Sequence, residues 1–455
     1  MSIVAPSPVK MFLIFAFLAL IGFSSSHVSK IAFLWAFFVF FAGMLYVTFT
    51  NNRHGMAHLL AGYIMATEVF YRMAWAGVPW EFAKYAVILL LINGMIFGRN
   101  KHRYSLLIVF YLLLHIPAIY LSFEYYGADT LQLKKRLFFN LLGPLVLGVS
   151  AMYFYRFKMT LEEFSELSRW IVLGVFTMGV LVVFNVGDYT AVQFSYSSNM
   201  SSSGGFSGNQ VAIAFGVGII IMMVNMIMKN RLFIYIWVDL LLLFMFIFQG
   251  LMTFSRGGVL GAVLAAGLGS LVYYFSNFEQ LIEFFRKNII KVLLAIVFAT
   301  GTFSYVNEIT DGYLYARYFN VDKDGNKIKE DLSTGRGDIV LGDLMLFEDS
   351  FYTGVGAGVS VEVRPLHRGF APHVEFSRLL AEHGMLGFFA IIILLFLPVS
   401  QFFYLAGNPR GQFILVAFVL LTFISMTHAA TRVAMIGFFY GMSFLLIYGE
   451  EKDEV

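Results

Sequence analysis

The most constraining feature of this sequence is the number of long apolar stretches along the chain. Runs such as Met11–Ile21, Ile31–Thr48, Tyr85–Phe97, Val211–Met228 and Val433–Tyr448 approach or reach the roughly 20 residues that cross a bilayer as a helix. Hydrophobic residues make up 59% of the 455-residue chain and charged residues only 13%, so one soluble core cannot bury all of these runs. The sequence therefore predicts an all-α polytopic membrane protein.

The apolar segments can be counted, although their ends can shift by a few residues. Fourteen follow one another, at about 10–22, 31–49, 56–71, 82–98, 104–121, 137–155, 170–186, 209–228, 232–249, 256–275, 288–305, 386–404, 412–427 and 433–448. We predict about 12–14 transmembrane helices, because a short early segment could be re-entrant. We expect the first segment to be a retained helix, since no A-x-A-like cleavage site follows Ser24–Ser26. The chain has no cysteine, which excludes disulfides and thiolate metal ligands.

The positions of lysine and arginine predict the orientation of these helices. With a cytoplasmic N-terminus, the basic groups at 99–103, 156–169, 229–231 and 286–291 fall on the cytoplasmic side, as the positive-inside rule requires. The connection 187–208 has no Lys or Arg and falls outside, together with the long stretch from about 306 to 385. The cluster Lys134-Lys135-Arg136 is the exception, because this topology places it outside. We predict a multi-pass protein of a bacterial inner (cytoplasmic) membrane with both termini cytoplasmic.

The chain divides into four segments by composition. Residues 1–200 carry N-terminal transmembrane helices, and 201–305 carry further helices with an FSRGG motif. Residues 306–385 form a long polar loop, and 386–455 carry the C-terminal helices. Loops of this length in a compact protein are usually functional or disordered. The aromatic residues of this one favour an ordered loop, and a helix from Pro372 to His383 that stops at Gly384 is expected at its end.

Five short motifs in this central region carry a resemblance to a known family. They are Gly204-Gly205-Phe206-Ser207-Gly208-Asn209, Thr253-Phe254-Ser255-Arg256-Gly257-Gly258, Gly335-Arg336, Gly354-Val355-Gly356-Ala357-Gly358, and Pro372-His373-Val374-Glu375-Phe376 with Glu382-His383-Gly384. Each is weak alone, but together, in this order and spacing over roughly residues 200–390, they resemble the O-antigen ligase and O-antigen polymerase superfamily, whose members are GT-C-like membrane glycosyltransferases. The first 200 residues match only as a string of spanning helices.

This resemblance implies a metal-independent, inverting enzyme without cofactors. The donor would be a glycan on an undecaprenyl pyrophosphate carrier, and the acceptor hydroxyl would belong to another glycan or to lipid A core, at the periplasmic face. The partners are then these two substrates and the lipid bilayer, with no nucleic acid. The shared motifs leave polymerase, ligase and protein glycosylation open. We lean to polymerase or exopolysaccharide assembly, because Val374 stands where many members have asparagine.

A pyrophosphate leaving group calls for cations that neutralise its developing charge, and arginine suits this better than lysine because its planar fork binds phosphate oxygens in pairs. The predicted topology brings several arginines to the outer ends of helices or beyond them. These candidate pyrophosphate ligands are Arg256, Arg336, Arg364, Arg368 and Arg432. Asn209, Gly356 and Gly358 are candidate polar or backbone contacts with the substrate, since glycine lets backbone approach a ligand closely.

The acceptor hydroxyl must lose a proton, and His373 is the candidate general base. At the first turn of a helix the dipole would disfavour its protonated form. Glu375 is the second candidate and could orient the acceptor instead. We expect no metal site in the loop, because it has no cluster of Asp, Glu and His at ligand spacing.

Simpler interpretations remain open for each of these residues. Arg256 and Arg432 could be anchors at the membrane interface, and Arg364 and Arg368 could be ordinary loop charges. His373 could be a hydrogen-bonded residue at a helix end. The whole protein could also be a transporter or flippase of lipid-linked oligosaccharide. A transporter, however, needs cationic residues through the bilayer midplane and often has repeated halves, whereas the best cations here are predicted at one face and no repeat is visible.

Other polar residues are predicted to be structural. Glu68 and Arg72 are spaced to pair at i and i+4, and Asp239 within an apolar segment needs a partner. Glu375, Arg378 and Glu382 fall on one face of the predicted 372–383 helix, which we expect to be solvated. The string 322–326 begins like a calcium loop, but its later positions do not fit, and Asp324-Gly325 favours a hairpin turn.

Overall fold

The computed structural model describes residues 7–98, 102–127, 130–275, 278–322, 325–328 and 336–448, and for much of 275–295 only the backbone. Its architecture is almost entirely helical, as predicted. The predicted groups Arg99–Lys101, Lys323-Asp324, Gly335 and Glu450–Glu454 lie outside the described residues.

The first part of the chain contains nine helices. They are α1 (Pro8–His27), α2 (Ser29–Thr50), α3 (Met56–Ala66), α4 (Glu68–Met73), α5 (Phe82–Phe97), α6 (Leu106–Leu113), α7 (Ile116–Tyr126), α8 (Leu131–Phe154) and α9 (Leu161–Val186). The start of α9 shows how local sequence sets a boundary. Thr160 and Glu163 form a capping box, in which each side chain bonds the other's backbone N–H.

The rest of the chain contains the long loop and the C-terminal helices. These are α10 (Gly208–Ile227), α11 (Ile236–Met252), α12 (Arg256–Phe275), α13 (Phe278–Ile309), α14 (Tyr313–Phe319), α15 (Arg336–Asp349), α16 (Ser360–Val363), α17 (Glu375–His383), α18 (Met385–Tyr404), α19 (Pro409–Met426) and α20 (Ala434–Met442). Helices α14 to α17 belong to the long loop. The loop is therefore ordered over its described residues, as expected.

Within the described ranges, nine helices are long and apolar enough to cross a membrane, and three shorter apolar helices, α3, α5 and α11, accompany them. This agrees with the predicted polytopic fold. One large cluster of buried apolar residues contains members from α1 to α20. The division into four segments stays a prediction.

The apolar run 433–448 is not one helix, and the prediction of a span there is wrong. Helix α20 ends at Met442, and Leu446–Tyr448 form a strand, β2. This strand pairs in parallel with β1 (Lys158–Thr160), with Lys158 opposite Leu446. Residues 433–447 are all buried, so their hydrophobicity carries no helical period that would distinguish helix from strand.

The cluster Lys134-Lys135-Arg136 lies at the same end of the helices as the long loop. Arg136 forms an ion pair with Glu362 of the loop, and Tyr126 donates a hydrogen bond to the carbonyl of Gly358 at 2.9 Å. The alternation of helices predicted this shared side. The basic cluster that conflicted with the positive-inside rule therefore has a neighbour of opposite charge.

The remaining structural predictions can be compared with their surroundings. Glu68 and Arg72 pair at 2.6 Å, as predicted, and both are buried. Asp239 accepts a hydrogen bond from the backbone N–H of Phe233 at 3.3 Å, which caps the chain entering α11. Around the predicted hairpin turn, Val321 and Lys327 form an antiparallel bridge, and Gly325 has a φ of +85°.

Candidate active site

Two of the predicted motifs meet where α10 and α12 begin. Ser255 donates a hydrogen bond to the side-chain oxygen of Asn209 at 2.9 Å. Within one helical turn, α10 and α12 approach so closely that a Cβ at Gly258 would lie 2.1 Å from the carbonyl oxygen of Ala212. Only glycine permits this contact, which fixes the start of α12 and hence the position of Arg256.

The turn between α11 and α12 is set by a strained residue. Phe254 has a φ of +58°, an uncommon conformation for a residue with a side chain. Its carbonyl accepts a hydrogen bond from Arg317 of α14 at 3.4 Å, and Arg317 also donates to the carbonyl of Tyr196 at 3.2 Å. Arg317 thereby ties the loop helix α14 to the segment that presents Arg256.

The segment between α19 and α20 forms the opposite wall of the site. A Cβ at Gly257 would lie 2.6 Å from Nε2 of His428, so the histidine ring rests directly on the glycine beside Arg256. The backbone N–H of Ala430 donates to the carbonyl of His373 at 3.0 Å. Arg432 donates to the carbonyl of Pro372 at 2.6 Å. The C-terminal turn thus holds the His373 segment against the start of α12.

The site is strongly cationic, as the arginine pKa values show. Burial and then the charge of Arg256 lower the pKa of Arg336, and burial followed by Arg256 and Arg336 lowers that of Arg317. Burial and then the charge of Arg336 lower the pKa of Arg432 to about 10. Arg336 connects the four arginines, because its charge acts on Arg317 and Arg432 and the charge of Arg256 acts on it. We call Arg256, Arg317, Arg336 and Arg432 the arginine cluster.

His373 faces this cluster in its neutral form. Burial lowers its pKa to about 4, and the charges of Arg432 and Arg336 contribute in that order. Its Nδ1 is buried without a hydrogen-bond partner. The helix-dipole explanation is wrong, because α17 begins at Glu375 and His373 lies two residues before it. The expected neutral imidazole is present, but burial and neighbouring arginines cause it.

Glu375 is occupied by protein contacts, and the expected solvated face of α17 is wrong. Its two oxygens accept hydrogen bonds from Arg378 at 2.5 and 3.0 Å and from Thr431. Arg378 also donates to Glu382 at 2.8 Å, and all three charged residues of this face are buried. The two carboxylates lie three residues before and four residues after Arg378. The charged groups of this face therefore pair with one another, and the face packs inside the protein. These contacts give Glu375 a structural role.

Two predicted arginines lie apart from the cluster. Arg364 is buried and donates to Asp343 at 2.7 Å and to the carbonyl of Phe370 at 2.8 Å. Its guanidinium therefore connects the segment that follows α16 with α15, within the long loop. Arg368 is exposed in the turn that follows. Of the five predicted arginines, the structure brings Arg256, Arg336 and Arg432 together.

The predicted glycine contacts are filled by protein. A Cβ at Gly356 would lie 2.9 Å from the backbone nitrogen of Ser122, and one at Gly358 would lie 2.7 Å from the side-chain nitrogen of Asn140. Both glycines have a positive φ, of +104° and +77°. They let the loop pack tightly on α7 and α8, so we base no substrate contact on them.

The sequence reasoning missed three residues of the site. Arg317 joins the cluster, Tyr318 has a buried hydroxyl without a partner, and His428 has a buried Nε2 without one. Burial lowers the pKa of His428 to about 4, with a smaller contribution from Arg336. In the sequence, the aromatic residues around Tyr318 indicated only that the loop is ordered. Arg317, which lies among them, was the available signal for a site residue. In the described residues, no group of three or more His, Asp or Glu is arranged to hold a metal.

Taken together, these observations define a multi-pass α-helical membrane protein in which four arginines gather where helix ends meet the long loop. Residues 240–392, about a third of the chain, match the family model Wzy_C, described as O-antigen ligase. This match supports the predicted O-antigen ligase and polymerase superfamily and a glycosyltransferase-type membrane enzyme of lipopolysaccharide biosynthesis. No curated protein matches the chain.

Proposed function

We propose that the protein transfers a glycan from an undecaprenyl pyrophosphate carrier to an acceptor hydroxyl at the outer face of the bacterial inner membrane. The observation that carries this proposal is the arginine cluster with a neutral histidine beside it. Both termini are then cytoplasmic and the long loop is periplasmic. A polyprenyl tail would lie between helices while its pyrophosphate reaches the arginines.

The arginine cluster suits a leaving pyrophosphate for electrostatic reasons. Arg336 lies within electrostatic reach of the other three guanidinium groups, and the half-buried position of the cluster strengthens any interaction with an anion. As the bond between the sugar C1 and the phosphate oxygen breaks, the electron pair leaves with the pyrophosphate. Cations fixed in place beforehand stabilise that charge without rearranging.

His373 can accept the acceptor's proton. Nδ1 of its neutral imidazole has no hydrogen-bond partner and is able to remove the hydroxyl proton while the oxygen forms a new bond to C1. One displacement of this kind inverts the configuration at C1, and no metal is required for it. We favour a second lipid-linked glycan as the acceptor, which makes the reaction a polymerisation, with lipid A core as the alternative.

The test is turnover of purified, reconstituted protein on undecaprenyl-pyrophosphate oligosaccharide with EDTA present. The wild type is compared with His373→Ala and with His27→Ala, which removes an exposed histidine at the end of α1. We expect longer lipid-linked glycans from the wild type and His27→Ala and none from His373→Ala. If the wild type instead moves intact donor across vesicles without elongating it or capping an acceptor, the protein is a transporter and the proposal is wrong.

A further inference from the structure

A buried charge network lies outside the cluster, in the N-terminal helices. Glu68 and Arg72 of α4 are both buried, and their ion pair is 2.6 Å long. Lys84 and Glu81 lie next to them, with Glu81 3.6 Å from Arg72 and 2.8 Å from Lys84. Two carboxylates and two cations balance one another. Burying four charges is costly, and the mechanism above uses none of them.

The contacts of this pair lead directly to the backbone around Arg432. The carbonyl oxygen of Arg432 lies 3.5 Å from both terminal nitrogens of Arg72, which donate to it. The second oxygen of Glu68 accepts a hydrogen bond from the backbone N–H of Ala434 at 2.6 Å. The ion pair therefore forms hydrogen bonds with the backbone on both sides of Val433, at Arg432 before it and at Ala434 after it.

Arg72 also reaches the other wall of the site. It donates to the side-chain oxygen of Gln210 at 2.8 Å. Gln210 follows Asn209, whose side chain accepts the hydrogen bond from Ser255 just before Arg256. A third bond, from Nε to the carbonyl of Trp80 at 3.1 Å, fixes the orientation of the guanidinium plane.

We infer that Glu68 and Arg72 are positioning residues that set the distance between Arg432 and Arg256 and so tune the site for a pyrophosphate. This inference rests on the proposed function. Arg72 is the only described residue seen to bond both the C-terminal turn and the start of α10. Its rigid fork suits that task better than a lysine would, because one planar group serves several acceptors at once.

The experiment uses the full-length protein and replaces both charges together. Removing Arg72 alone would leave Glu68 buried and unpaired, which endangers folding. The variant Glu68→Gln/Arg72→Gln avoids this. Asn93→Leu is the control, because Asn93 is also buried and bonds Thr48 and Met44 within the N-terminal helices only. Donor KM and kcat are measured for each variant on undecaprenyl-pyrophosphate oligosaccharide.

We expect the paired variant to raise donor KM by roughly tenfold or more with a smaller change in kcat, and Asn93→Leu to leave KM unchanged at a similar loss of thermal stability. Combining the pair with Arg432→Gln should cost little beyond Arg432→Gln alone, because both changes act through the same side chain. Equal KM values for the paired variant and Asn93→Leu, or fully multiplicative losses in the combined variant, would overturn the inference. A wild type without turnover would instead refute the proposed function.

Discussion

Removing one arginine of the cluster should make the donor-free protein more stable while weakening its hold on the donor. Arg432→Gln is the sharpest case. Lowering a pKa from 12.5 to about 10 corresponds to roughly 3 kcal/mol against the charged form. The side chain also leaves Nε buried without a partner. Against this stands the hydrogen bond to the carbonyl of Pro372, which contributes about 1 kcal/mol.

The free energy of unfolding of the variant should therefore exceed that of the wild type by about 1–2 kcal/mol when no anion is present. A gain of that size should raise the unfolding temperature by a few degrees, or roughly 2–4 °C per kcal/mol if the protein follows domains of 150–250 residues. Inorganic pyrophosphate should reverse the order. The wild type gains a charge-assisted hydrogen bond of about 1.5–3 kcal/mol, so its affinity should exceed the variant's by roughly 10- to 100-fold.

Thermal unfolding in detergent at pH 7, with and without pyrophosphate, measures both effects. Arg368→Gln is the matched control, because Arg368 is exposed in the long loop, apart from the cluster, and its replacement removes the same charge. We expect it to leave both temperatures unchanged. The reasoning is refuted if Arg432→Gln melts below the wild type without pyrophosphate, or if pyrophosphate stabilises both proteins equally.

Three further predictions concern the rest of the site. Gly257→Ala should cut turnover at least tenfold, because its Cβ would lie only 2.6 Å from the His428 ring. Gly267→Ala, on the exposed side of α12, meets nothing within 4 Å and should keep wild-type turnover. The rate profile of kcat/KM should lose activity only as pH falls through about 4, the pKa of His373 in the donor-free protein, whereas an acid limb near 6.5 would contradict its burial. Glu375→Gln should lower the unfolding temperature, because Arg378 loses one of its two buried carboxylate partners. It should leave the pH profile of kcat/KM unshifted, and a shifted acid limb would instead make Glu375 the base.

The sequence predicted the helical membrane fold well, because the length of an apolar run is visible along the chain without knowing which residues meet in space. It could not separate helix from strand at 433–448, where the burial of every residue up to Ile447 removes the periodic signal. The face of α17 misled for a related reason. Arg378 forms ion pairs with two carboxylates there, so a row of charges that usually marks solvent is packed inside.

The candidate site was predicted in part because its motifs lie on helix ends that topology brings to one side. That argument found Arg432, which lies well beyond the matched family region. It missed Arg317 and His428, since no spacing rule connects a loop helix with a turn more than 100 residues away. It also included Arg364, because the sequence did not reveal the buried Asp343 that occupies its guanidinium.

Burial and the charges of the arginine cluster lower the pKa of Arg432 and the pKa of His373 alike, and because their ordinary pKa values differ, one site can hold both a cation and a base. At a pKa of about 10, Arg432 is neutral in only roughly one molecule in 1,000 at pH 7. The same burial and charge keep His373 neutral at that pH, because its pKa is about 4.

A bound pyrophosphate would change the electrostatic surroundings of His373 once the donor is in place. Its negative charge offsets the arginines, so the proton affinity of His373 should rise once the donor is in place. As the leaving group gains charge, a proton arriving on His373 becomes progressively more favourable. The acid limb of kcat should therefore lie at higher pH than that of kcat/KM, because the first reports the donor complex and the second the free enzyme. Coincident limbs would mean that the donor's charge does not reach His373, and the base would have to be sought elsewhere.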